Sequence, residues 1–295
     1  MNHHSAIESQ DSPDMFPTAD QIEHEAYLRW ERRGGSHGND RGDWCAAEQD
    51  LLLTLNYEVA AFYPLQAPES QYVGSKVRRV CRFCEQAAPI TTFSATPLAL
   101  PSFLENRSLF TYEECDDCHA HFASSVEADL KTFLAQLRIG PGLNSLSRTS
   151  IAALKGLAKM ALSIMPATEL HSFEDTREWV VNPDHDFDLR LFGELGCGLH
   201  VLPSIQPEPW TALVRRVDDE APMPYMLFFV GTTHVVIQAP VPLSARDEDL
   251  DGTRTIIPRT DSSYAMGSES GRQAPSPFRA NPHRIGTRHN ANSPV

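Results

Sequence analysis

Residues 81–118 open on CRFC (81–84) and close on CDDC (115–118), with thirty residues between the two pairs. Two residues between cysteines let both sulfurs face one ion from a tight turn. Two such turns together complete a tetrahedral set of four thiolates, a donor set that suits zinc. Cys81, Cys84, Cys115 and Cys118 are therefore the expected ligands of a zinc ion. Four thiolates leave no open position, so the expected role is structural. The remaining cysteines, Cys45 and Cys197, stand alone. Four of six cysteines in such pairs fit metal binding in a reducing compartment better than a disulfide framework.

Outward from this module the chain changes character several times. Residues 1–19 are polar and read as a disordered leader. The opening MNHHSAIESQDSPDM has no apolar run, so no signal peptide is expected. The longest apolar stretches, such as PYMLFFVG (224–231), are too short to span a bilayer. The expected location is cytoplasmic, with no membrane partner. Residues 20–62 read as a helical hairpin. Ile22, Ala26, Tyr27 and Trp30 recur at helical spacing, Asp20 and Asp43 are the expected caps, and Gly34-Gly35 ends the first helix. Tyr27, Trp30, Trp44, Ala47 and Leu51 are its expected core, and 66–75 is an expected linker.

Downstream, the cysteine module spans about 76–136, followed by a Gly/Ser-rich loop at 137–150. An amphipathic helix is expected over 150–166, with Ile151, Leu154, Leu157, Ala158, Ala161 and Leu162 on one face. A second helix is expected near 167–182. Three strand-like runs follow at 210–217, 224–231 and 234–241, the last two joined by a hairpin turn. Together, 150–246 reads as an α+β C-terminal domain with a small antiparallel sheet. From Asp247 to the end the chain is polar and reads as a disordered tail. Asp184, Asp186 and Asp188 alternate like the start of a calcium loop, but the later Gly and closing Glu are missing, so a turn is expected.

Two resemblances attach to these residues. Ala26, Tyr27, Trp30, Gly34, Gly38, Trp44, Ala47 and Glu48 resemble a short bacterial helical domain family of unknown function, over about 20–53. Cys81, Phe83, Cys84, Thr92, Phe93, Pro101, Leu104, Asn106, Ser108, Leu109, Phe110, Glu114, Cys115, Asp116 and Cys118 resemble the zinc-stapled HNH endonuclease family, over about 76–180. That likeness implies a zinc-bound ββα module of treble-clef type. In the family a histidine at the end of the first strand acts as general base. Here the matching position is Leu98, the glutamate after the proline is Ser102, and the asparagine after the second pair is His119. The resemblance thus implies a fold whose chemistry is replaced.

Three functions are compatible with these residues. The first is a catalytically degenerate HNH-like module that binds nucleic acid or a protein. The second is an active endonuclease with a non-standard site of His119, His121 and Asp116 around magnesium or another divalent metal. The third is an interaction scaffold with no link to nucleic acid, docking a protein partner through the N-terminal hairpin and the C-terminal sheet. The net charge of −14 repels phosphate backbones, so nucleic-acid binding requires a local basic patch. Lys76, Arg78, Arg79 and Arg82 supply the candidate for DNA, beside the first cysteine turn.

Overall fold

The computed structural model describes residues 15–137, 148–182, 199–204, 206–248, 250 and 255–258. The expected leader up to residue 14, most of the 137–150 loop, Asp184, Asp186, Asp188, Cys197 and the tail beyond 258 lie outside them. Helices and an antiparallel sheet mix along the chain, as an α+β reading expects. No described helix is long and apolar enough to cross a membrane.

Helices α1 (Ala19–Arg32) and α2 (Asp40–Asn56) form the N-terminal hairpin. The first cap is Thr18, not Asp20. Its hydroxyl accepts from the Gln21 amide while the Gln21 side chain accepts from the Thr18 amide. Asp43 does not cap α2 either. It lies within the helix and pairs with Arg33 across the hairpin. Ala47 is buried as expected, but Tyr27 and Trp44 are 54 % and 39 % exposed. Ile22, Ala46 and a buried Arg29–Asp50 ion pair fill the interface instead.

The second helix stops at Asn56 instead of continuing to 62. Tyr57–Pro64 is strand β1, an edge of a five-stranded sheet ordered β1-β5-β6-β7-β4. The others are β4 (His200–Pro203), β5 (Trp210–Arg216), β6 (Met226–Gly231) and β7 (Val235–Pro240), all antiparallel. Aromatic and β-branched residues in YEVAAFYP suit a pleated surface better than a helix. The expected linker also contains a strand: β2 (Gln71–Val73) runs parallel to β3 (Leu109–Thr111).

Both faces of the large sheet are covered, and alternation along its strands sorts the residues. Leu213, Phe228 and Val230 join the cluster containing Cys81, Phe83, Cys115 and Leu157. Ala212, Val214, Leu227 and Phe229 join Leu52, Leu53 and Tyr57 on the other face. The cysteine module and the sheet therefore share one core.

Helices α3 (Asp116–Ser124), α4 (Val126–Leu137), α5 (Arg148–Ile164) and α6 (Glu174–Val181) build the layer that carries the site. Helix α5 is enclosed on all sides from Leu157 onward, while Lys155 stays part-exposed and donates to the Asn182 carbonyl. Leu157, Ala158, Lys159, Met160, Ala161 and Leu162 are all buried in succession. Gly156 lets α4 approach, since a Cβ there would meet the Val126 carbonyl oxygen at 2.7 Å.

The chain beyond Asp247 does not leave the fold at once. Asp247 accepts from the Tyr225 amide at 2.9 Å, Ile256 N–H donates to Pro222 at 2.7 Å, and Gln238 donates to the Pro258 carbonyl at 2.5 Å. Ile256 and Ile257 pack on the second core. Truncation after residue 246 is expected to cost about 2 kcal/mol, the scale of partly burying two large aliphatic side chains. A chain ending at 246 should melt about 4–8 °C below one ending at 258. Equal melting temperatures by differential scanning fluorimetry would show that this strap contributes nothing.

Candidate metal centre

The sulfurs of Cys81, Cys84, Cys115 and Cys118 lie within 4.8 Å of one another. Cys84 and Cys115 Sγ are 3.7 Å apart. A tetrahedral ion with metal–sulfur bonds of about 2.3 Å sets its sulfurs about 3.8 Å apart. The Cys84–Cys115 distance matches that value, and no pair of the four exceeds it by more than about 1 Å, so the cluster can close on one such ion.

Two local structures aim them. In the first, the Glu85 amide donates to the Cys81 carbonyl at 2.8 Å and the Cys81 amide to the Gln86 carbonyl at 2.9 Å. Glu85 closes this turn in the left-handed region, at φ 57°. In the second, Cys115 is the N-cap of α3 and its sulfur accepts from the Cys118 amide at 3.5 Å.

The hydrogen bond from Cys118, helped by backbone amides of Cys84, Cys115 and Phe83, draws the Cys81 thiol down to about 5 against the effect of burial. Burial and the neighbouring thiols push Cys84 up to about 11, and Cys81 holds Cys118 up. A bound divalent ion would supply the positive charge that ionises the thiols.

Behind the sulfurs sits a buried charged group. Lys159, fully buried on α5, places its Nζ 3.1 Å from Glu114 Oε2 and 2.7 Å from Glu127 Oε1. Its ammonium also lies 5.7 Å from the Phe83 ring centroid and 5.3 Å from that of Phe122. Burial opposes charge on both Lys159 and Glu114. Their mutual attraction outweighs it only together with Glu127 on the lysine and His119 on the carboxyl, so the lysine is held up and the carboxyl down. This pairing joins the residue before Cys115 and the residue between Cys81 and Cys84 to the middle of α5.

The other residues singled out in the sequence do not come together as one site. Asp116 accepts from Thr92 Oγ1 at 2.5 Å and from the Ser94 amide at 2.9 Å, and these bonds hold its carboxyl low. His119 Nδ1 lies 2.9 Å from Glu114 Oε1. That bond holds its imidazole up, against burial. His121 is exposed, its ring 5.6 Å from that of Phe122. Ser102 is exposed at the start of a single 3-10 turn. Among the described residues, no second group of three or more His, Cys, Asp or Glu is placed to hold a metal ion.

The basic run is divided. Lys76 and Arg78 are exposed. Arg79 is half-buried, lies 5.1 Å over the Tyr112 ring and donates to the Phe93 carbonyl at 2.8 Å. Arg82 is internal: it donates to the carbonyls of Leu162, Ser163 and Met165 and to Glu113 Oε2 at 2.7 Å. Its guanidinium terminates α5, where carbonyls lack helical partners, and is not part of the surface patch.

Extended segment 97–99 pairs with β3. The Ala99 amide donates to Leu109 at 3.0 Å and the Thr111 amide to Pro97 at 2.9 Å. Leu98 and Phe110 are therefore a non-hydrogen-bonded antiparallel pair, with side chains adjacent on one face. Val73, Ala99, Leu109 and Thr111 are buried behind that face, and Tyr72 and Tyr112 share the front with Phe110.

Fold and site together define an α+β protein with a four-cysteine centre that can hold one metal ion. Among known families, residues 17–52 match the one described as Protein of unknown function (DUF2934), which is the α1–α2 hairpin. No curated protein and no solved structure matches the chain.

Proposed function

We propose that this protein is a zinc-stapled, HNH-like binding module that has exchanged hydrolysis for nucleic-acid recognition. The observation that carries this reading is the Leu98–Phe110 pair. Where the resemblance expects a general base, an apolar side chain lies beside an aromatic one. The paired segments 97–99 and 109–111 followed by α3, with one cysteine pair before them and the other at the start of α3, support the ββα likeness. Zinc is the ion proposed for the four thiolates. Exposed Lys76 and Arg78 give the phosphate contact.

Loss of a general base costs about two to four orders of magnitude in rate. Plasmid nicking with magnesium, manganese or nickel is therefore expected to stay at background. Leu98→His combined with His119→Asn should recover cleavage at most in part, since catalytic groups act as a unit. A gel shift that weakens as salt rises is expected on the same sample. Metal-dependent cleavage abolished by His119→Ala or Asp116→Ala would replace this reading with an endonuclease whose site is rebuilt around those residues. The exposed Tyr27 and Trp44 favour a second reading, a scaffold docking protein through the hairpin. Absence of any nucleic-acid shift would leave that one standing.

A further inference from the structure

The outer face of the small sheet carries an ordered row of rings. Phe110 and Tyr72 stack at 5.6 Å between centroids, and Tyr72 and Tyr112 at 4.7 Å with an interplanar angle of 6°. The Arg79 guanidinium continues the row 5.1 Å beyond Tyr112. Register explains the row: Tyr72 pairs with Phe110 in the parallel ladder, and Tyr112 lies two residues further on the same side. Tyr72, in the middle, is 47 % exposed, although a ring of that size is normally covered. Lys76 and Arg78 lie exposed on the segment that leads from β2 to the first cysteine turn. The nearby Glu113 is occupied with Arg82 and the Ser75 amide. The face is thus aromatic, with cations at its border, inside a chain that is acidic as a whole.

We infer that this Phe110–Tyr72–Tyr112 row, bordered by Arg79, Lys76 and Arg78, is a base-stacking subsite for single-stranded nucleic acid. The inference rests on the nucleic-acid reading above and narrows it. Duplex DNA buries its base faces and offers only its charged backbone to such a surface. An unpaired strand offers both phosphates and π-faces, and the exposed part of the Tyr72 ring with cations beside it matches both. Stacking also explains why Tyr72 is exposed beside the cations instead of lying in the core.

The test uses the full chain, a labelled twelve-residue oligo(dT), and a duplex of equal length. Fluorescence anisotropy at two salt concentrations should show tighter binding to the single strand. Tyr72→Leu keeps apolar bulk but removes the π-face, and should weaken oligo(dT) binding about tenfold, with little effect on the duplex. Tyr72→Phe should bind like the natural chain, so a drop in Tyr72→Leu alone cannot be assigned to lost bulk or a lost hydroxyl. Arg78→Ala should weaken both ligands and lower the salt dependence. Equal binding of both ligands, or no change in Tyr72→Leu, overturns the stacking subsite while leaving phosphate binding in place. Failure to bind either ligand overturns both proposals.

Discussion

Removing the metal is expected to unfold the whole core, not only the cysteine turns. Cys81 and Cys115 are fully buried in the same apolar cluster as Leu157, Phe228 and Ile237. Without an ion, Cys84 and Cys118 are pushed toward the neutral thiol. Four sulfurs crowded within 4.8 Å are then held by no metal bonds. Structural zinc in small modules contributes about 10–16 kcal/mol of apparent binding free energy, as much as the whole stability of an ordinary domain. Elemental analysis should find one zinc per chain. Chelation, or the Cys115→Ser/Cys118→Ser double substitution, should abolish the cooperative melt and the near-ultraviolet circular dichroism. A protein shown to be metal-free that keeps its melting temperature would refute a structural centre.

The cysteine pairs were legible because their spacing is local and few other structures need it. The strands at 210–217, 224–231 and 234–241 were legible for a similar reason: each is an apolar run bounded by turn residues, and the structure shortens them by only one or two residues at their ends. Strand β1 was missed because it follows α2 without a breaker. Its helix ends where β1 finds β5, a partner about 150 residues away that no local pattern announces. Two misses did carry signals. Thr18 with Gln21 three residues later is a capping-box pattern, and Ile256-Ile257 interrupts an otherwise polar tail. Arg82 was read as surface because arginine in a basic run usually is. Only the three-dimensional approach of the α5 carbonyls shows it to be internal.

Lys159 was also invisible in sequence, and its substitution is expected to have the second-largest effect. A lysine inside the sequence GLAKMAL would ordinarily mark the wet side of an amphipathic helix. Here it is the anchor between α5, Glu114 and Glu127, and Glu114 has no exposed side-chain surface. Lys159→Met fits the surrounding phenylalanines but strands the Glu114 carboxylate in the core, with only His119 left beside it. Breaking one member of a buried ion pair costs about 3–5 kcal/mol. For a chain of this size that corresponds to a loss of about 6–20 °C in melting temperature. Replacing both charges behaves differently, because an apolar pair of similar volume has no charge to desolvate. Lys159→Met with Glu114→Leu should therefore be less destabilised than Lys159→Met alone, although Glu127, 12 % exposed, must then turn to solvent. Urea denaturation of both single variants and the double variant measures this coupling. If the double loses the sum of the singles, the two charges do not stabilise each other, and the link from the cysteine turns to α5 runs through the phenylalanines instead.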